Sequence, residues 1–503
     1  MRRKLISFIA AGFLLTFPAL AQQPQGADAK PLPGKVTRLN RVPVNNEILK
    51  VKLPHPNEFS LANGLTVLVL EEHRLPTVNY SLWIKSGALS DPADMPGLAS
   101  FTADMLREGT ATRTSSQIAA QLDELGATFN GNAAFGSNLT VLQASGLSQS
   151  ADMLMELLSD LTRNPKFPAD ELEKFKRQER ARLSQARSNP GILARERFYR
   201  AVYGDFPASV QLATSESIQK ATPEALKGFH DAAYLPNNAI LAIAGDITVA
   251  QATALVKKHF GTWQSHPIAA PKWGNVPASG PAKIYLVDRP GSVQSNILMG
   301  GLSLRRSDPD YIPLVVMNRI LGGSASARLF ANLREDKGYT YGAYSRVSSD
   351  LFPGVFSANT EVRNPVTDGS LHELMYELKR IRDEKVPAAE LEDAKRAIVS
   401  SFALSLENPQ GIMNSWMTVK YYGLPENYWD NYSDQVAKID AAAVQQMARK
   451  YIDLDHLQIV VVGDAKEVRE AVNKYGTVSV FDADGKPQEP KPETGTPANT
   501  GTK

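Results

Sequence analysis

Three phrases of this sequence occur twice, in the same order, about 200 residues apart. Asn164–Glu173 (NPKFPADELE) returns as Asp383–Glu392 (DEKVPAAELE), Tyr203-Gly204 as Tyr422-Gly423, and Ala239–Asp246 (AILAIAGD) as Gln458–Asp464 (QIVVVGD). A period of that length is far above a solenoid unit and matches a whole domain, so the chain must satisfy one fold twice. Between the copies, Gln264–Lys283 gathers Pro267, Pro271, Pro277 and Pro281 with glycines, the composition of a linker.

Each half opens on strands. Asn63-Gly64 between apolar runs predicts a hairpin at Leu61–Leu65, and Val78 to Ser86 alternates as a half-buried strand. Helices are predicted at Pro96–Arg107, at Thr114–Leu125 behind a Thr114/Gln117 capping box, and at Ala151–Thr162. The second half repeats the plan with Asn296–Leu302, Pro309–Leu321 and Gly369–Asp383. The expected fold class is α+β: two duplicated domains, each a mostly antiparallel sheet with helices packed on one face.

The ends read differently from the body. Met1-Arg2-Arg3-Lys4, an apolar run from Leu5 to Leu20 and Ala19-Leu20-Ala21 form a cleavable export signal, residues 1–21. The expected location is therefore the periplasm, with no membrane anchor after cleavage. Residues 22–49 read as a flexible lead-in and 484–503, without an apolar run, as a disordered tail. The domains are then 50–263 and 283–483, joined by 264–282. The absence of cysteine excludes disulfides and thiolate metal sites, and a formal net charge of +2 gives no reason to expect nucleic acid.

Pro96–Met105 (PGLASFTADM) holds the chemistry by what is missing from it. At about 100° per residue, Leu98, Phe101 and Met105 share one side of a helix and Ser100, Ala103 and Asp104 the other. In the inverted zincin pattern H-x-x-E-H, two histidines bind Zn²⁺ and the glutamate activates water. The segment resembles the one that carries this pattern in the pitrilysin/insulinase peptidases, and the likeness extends over roughly residues 50 to 480. By that resemblance Ser100 and Asp104 stand at the histidine positions and Ala103 at the glutamate, so the scaffold is kept and the zinc ligands are lost. Glu179 lies near the family's third-ligand position; a solvated residue of a charged helix is the competing account. Serine is a poor zinc ligand and alanine cannot be one. The seven histidines, His55, His73, His230, His259, His266, His372 and His456, include no pair within a helical turn and read as scattered surface positions. An oxygen-only site from Ser100, Asp104 and Glu179 would suit a hard cation at best. No metal or other cofactor is expected on this chain.

The second half keeps a longer phrase, Gly322–Phe330 followed by Asn332–Tyr344. In the family resembled, the matching segment supplies an arginine and, seven residues later, a tyrosine that reach toward substrate held on the zinc half. Arg334 and Tyr341 have that spacing. A guanidinium and a phenol both donate hydrogen bonds and suit the charge that develops on a scissile carbonyl. Alternatively Arg334 is a helix C-terminal cation and Tyr341 a half-buried strand aromatic. Gly322 and Gly323 read as a substrate loop or as a helix C-terminus. Tyr339, Tyr341 and Tyr344 would form an aromatic wall, and Thr128–Ala134 a strand to which a peptide can add.

The resemblance implies a zinc-free, non-catalytic subunit of a heterodimeric metallopeptidase. Its partner, a pitrilysin-like chain with H-x-x-E-H, would hold the zinc and cleave peptide substrates. A peptide-binding or assembly module without turnover is the alternative, and an autonomous hydrolase using Ser100 a third.

Overall fold

The computed structural model describes residues 47–269 and 273–488. The predicted export signal, nearly all of the lead-in and most of the tail lie outside them.

The first half opens with β1 (Asn57–Ser60), β2 (Thr66–Glu71) and β3 (Thr77–Ile84), followed by α1 (Leu98–Met105) and α2 (Ser115–Glu124). Next come β4 (Thr128–Ala133), β5 (Thr140–Leu147), α3 (Ala151–Arg163), α4 (Ala169–Ser188) and α5 (Pro190–Tyr203). It closes with α6 (Ser215–Lys220), α7 (Pro223–Ala233), β6 (Ala239–Gly245) and α8 (Val249–Phe260). The second half begins with β7 (Lys283–Asp288), β8 (Gln294–Leu302), α9 (Tyr311–Leu321) and α10 (Arg328–Phe330). A π-helical turn at Ala331–Asp336 leads into β9 (Thr340–Val347) and β10 (Val355–Arg363). Then follow α11 (Thr367–Asp383), α12 (Ala388–Ser405), α13 (Pro409–Tyr422), α14 (Tyr432–Ala437) and α15 (Ala441–Tyr451). The last elements are β11 (Gln458–Gly463), α16 (Ala465–Asn473) and β12 (Val478–Phe481).

The hairpin, the capping box and all the predicted helices form, with ends moved by a few residues. The two six-stranded sheets run β1-β2-β6-β3-β5-β4 and β12-β7-β11-β8-β10-β9. Read by position they are the same sheet, mostly antiparallel, with β4 and β9 as equivalent edges. Only the other edge differs, where β1 is antiparallel to β2 but β12 is parallel to β7. The likeness reaches single hydrogen bonds: Lys176 of α4 donates to the carbonyl of Gln219 at the end of α6, and Lys395 of α12 to that of Ala437 at the end of α14.

One face of each sheet is covered by helices of its own half. The other face receives a helix from the opposite half. Leu193, Ala194, Phe198 and Val202 of α5 pack on Tyr285, Val287, Val460 and Val462 of the second sheet. Ile412, Met413, Trp416 and Met417 of α13 pack on Leu68, Leu70, Ile240 and Ala242 of the first. That exchange explains why β6 and β11 are buried at every position, and apolar at all but Gln458, rather than alternating. Asp484 to Gln488, assigned from composition to the tail, turn back onto β12 through Gln488 N–H to the Val480 carbonyl at 2.8 Å.

Candidate functional site

The zinc-motif helix α1 lies between α7 and the edge strand β4. Its N-terminus is held by Asp91, whose carboxylate accepts from the backbone N–H groups of Gly97 at 2.7 Å and Ala99 at 2.8 Å. Burial pushes the Asp91 carboxyl up to about 7, against the pull of those donors. Leu98, Phe101 and Met105 are buried as expected, and Ser100 and Asp104 are partly exposed. Ala103, expected on the open side, is 1 % exposed and belongs to the core. The reason is β4: a Cβ on its Gly131 would stand 2.8 Å from the Ala103 carbonyl, so strand and helix are in backbone contact there.

Asp104 is brought beside Glu179. Burial lifts its carboxyl to about 6, the charges of Glu179 and Glu108 add to the rise, and Arg182 opposes it. Glu179 is no solvated helix residue: its side chain is 15 % exposed and paired with Arg182 one turn on. Nor are all histidines superficial. His230 is buried, its Nε2 2.8 Å from the Thr162 carbonyl and its ring stacked on Tyr234, while His259 meets Asp152.

These residues do not fit a zinc ion. Asp104 is a carboxyl whose charged form burial and the neighbouring Glu179 disfavour, Glu179 is already engaged with Arg182, and Ser100 offers only a hydroxyl. Among the described residues no group of three His, Cys, Asp or Glu side chains could hold a metal.

In the second half, Arg334 sits on the π-helical turn, the kind of local insertion that recurs at functional sites. Tyr341 sits on the edge strand where β9 carries two residues, Tyr341 and Gly342, against Glu361 of β10. That bulge re-aims the side chain, and Tyr341 is 88 % exposed rather than half-buried. The Arg334 guanidinium carbon stands 5.5 Å from the Tyr341 ring centroid. Among the described residues Arg334 takes part in no ion pair, so the two donors are near each other and open to a ligand. No sequence pattern announces the bulge; Thr340, whose hydroxyl donates to the Glu361 carbonyl at 2.7 Å, helps to hold it.

The expected aromatic wall breaks up. Tyr339 lies against Gly369 of α11, and Tyr344 packs on Phe330. Gly322 does end α9, but with extended backbone (φ −162°) rather than the left-handed turn of a glycine C-terminus. It is glycine because Ser345 N–H donates to its carbonyl at 2.9 Å and a Cβ there would stand 2.4 Å from that nitrogen. A Cβ on Gly323 would meet Arg319 of α9 at 2.9 Å. Gly322→Ala should therefore cost about 1–3 kcal/mol by overpacking, read as a lowered denaturant midpoint; an unchanged midpoint would show that β9 yields freely.

Residues 66–216 match the model of the insulinase family of peptidases (M16), and residues 220–398 that of the peptidase M16 inactive domain. An uncharacterized zinc protease of Rickettsia felis is 29% identical over 70% of this chain and 84% of its own length. A protein of Helicobacter pylori described as a non-peptidase homolog is 22% identical over 80% of this chain and 92% of its own. Among solved structures, a peptidase M16 inactive domain from Pseudomonas fluorescens superposes with a TM-score of 0.76 at 29% identity, covering 81% of this chain and 98% of that one. Matched in succession along its length by two models of one family, and by a solved inactive domain of that family over 81% of its length, the chain belongs to the insulinase/pitrilysin (M16) peptidase family as a non-catalytic member.

Proposed function

We propose that this chain is the zinc-free subunit of a heteromeric, periplasmic M16 peptidase. A partner bearing H-x-x-E-H supplies zinc and general base. This chain closes the opposite wall and presents Arg334 and Tyr341 to the peptide. The observation that carries the reading is the exposed Arg334–Tyr341 pair: a cation that takes part in no ion pair among the described residues, beside a phenol lifted from an edge strand by a bulge. Two preorganised donors lower the barrier where the scissile carbonyl becomes an oxyanion, and they need no metal of their own.

Mixing the chain with such a partner should yield peptide cleavage that neither shows alone. Arg334→Ala and Tyr341→Phe should each lower kcat/KM of the mixture about 10²-fold, while sedimentation shows the complex still formed. Unchanged turnover in both variants removes these residues from the reaction. Tight peptide binding without cleavage in any pairing would instead make the chain a binding module.

A further inference from the structure

A cavity of about 690 Å³ opens between the halves, walled by α5, α13, β9, β10 and the segment before α9. Its size is that of a ligand pocket. Three of its lining residues are Arg195, Arg306 and Arg346, and none is Asp or Glu. Among the described residues no carboxylate lies within ion-pair distance of any of the three.

Arg306 is the informative one, being 6 % exposed. Its guanidinium carbon sits 3.8 Å from the Tyr311 ring centroid and 4.9 Å from that of Tyr428, and its Nη1 donates to the Tyr428 hydroxyl at 2.9 Å. Rings and a phenol orient the group without neutralising it. Elsewhere the fold answers a buried arginine with acid, as Arg328 is held by both oxygens of Glu390. A buried guanidinium without a counter-ion is costly unless an anion arrives from outside. Arg195 on α5 and Arg346 on β9 bring further positive charge from opposite walls. Tyr199, Tyr422 and Trp429 supply apolar surface for the body of a residue, and Ser357 and Asn414 supply polar groups.

We propose that this cavity is a carboxylate-binding subsite for peptides, taking either a C-terminal carboxylate or an acidic side chain. It rests on the reading of the chain as a peptide-binding subunit and adds a specificity to it. Arg346 and Tyr341 share β9, and because the bulge sets Tyr341 and Gly342 against one partner they stand opposite Ser357 and Glu361 of β10, four ladder steps or roughly 13 Å apart at about 3.3 Å per residue. A peptide extended along that edge spans this distance with about four residues. The subsite therefore favours substrates with a carboxylate about four residues from the bond presented to Tyr341.

The test is fluorescence anisotropy with the full chain and three labelled decapeptides of one sequence. One ends in Glu with a free carboxylate, one is its C-terminal amide, and one has every acidic side chain replaced by its amide. The charged peptide should bind at least 10-fold tighter than one of the two controls; the control that loses affinity names which carboxylate is read. Arg195→Ala/Arg346→Ala, at exposed positions that leave the buried Arg306 in place, should abolish the preference with the melting temperature unchanged. Equal binding of all three peptides, no binding of any, or a preference that survives the double variant overturns the proposal. Cleavage of an acid-free peptide by the chain and its partner is a separate readout, so failure of the subsite and failure of the peptidase reading remain distinguishable.

Discussion

Ser100→His with Asp104→His should give the isolated chain a stoichiometric zinc ion that a chelator removes. The two positions are four apart on α1, on neighbouring turns of one face, and Glu179 already stands beside the second of them. Two histidines and that carboxylate make three protein ligands with a fourth position open. The cost falls on the Glu179–Arg182 pair, which must release its carboxylate, and is small beside zinc affinity. Metal content after dialysis gives the direct measure. A zinc-dependent gain in stability, on the order of 4 kcal/mol at a thousandfold excess over Kd and read as a raised melting temperature, gives an independent one. The double variant should not hydrolyse peptide, because Ala103 still occupies the place of the base; adding Ala103→Glu is the harder step, since that position is packed against β4. A double variant that melts normally and takes up no zinc would mean that α1 has lost the frame of a metal site as well as its ligands.

Stability should fall as pH rises from about 4 to about 7. Burial raises Asp350 to about 6 and Asp91 to about 7, and Asp104 adds to the same trend. In the unfolded chain such carboxyls titrate near 3.9. Across the interval the folded state keeps protons that the unfolded state has released, so their contribution is complete below about pH 4 and is lost as pH climbs through the folded values. Each group is worth on the order of 3 kcal/mol across that interval. His230 works the other way: burial lowers its value despite the Thr162 carbonyl, so it favours folding as pH rises toward 6.5. Carboxylates held low, such as Asp160, change only below about pH 4. Urea midpoints at pH 5 and pH 8 check the sign, and Asp350→Asn, which stays neutral, should flatten the slope. A wild-type midpoint higher at pH 8 would show that these carboxyls ionise in place at little cost.

Much of the architecture could be read from the chain itself. The repeated phrases fall on equivalent elements, α4 with α12 and β6 with β11, and helices with strong caps form where expected. What escaped depends on neighbours distant in sequence. Ala103 is on the polar side of α1 by periodicity, but β4 covers it. Only the family resemblance set Glu179 near Asp104, and nothing in the charged pattern of α4 shows its burial; Arg195, Arg306 and Arg346 converge only once α5 has crossed to the other sheet. An amphipathic helix declares that one face must be buried, not which sheet buries it. Tyr341 was legible as a residue of interest, while its exposure depends on a register slip between strands that no local pattern encodes.

The exchange of α5 and α13 has a consequence for the order in which the chain is made. The first sheet has all its strands by Gly245, yet the helix that roofs Leu68, Ile240 and Ala242 begins at Pro409. Emerging N-terminus first, from a ribosome or an export channel, that apolar patch waits for a further 164 positions of chain before its cover begins to appear. During that interval the nascent polypeptide presents a sticky surface that a chaperone must shield, and a message truncated before Pro409 leaves it bare for good.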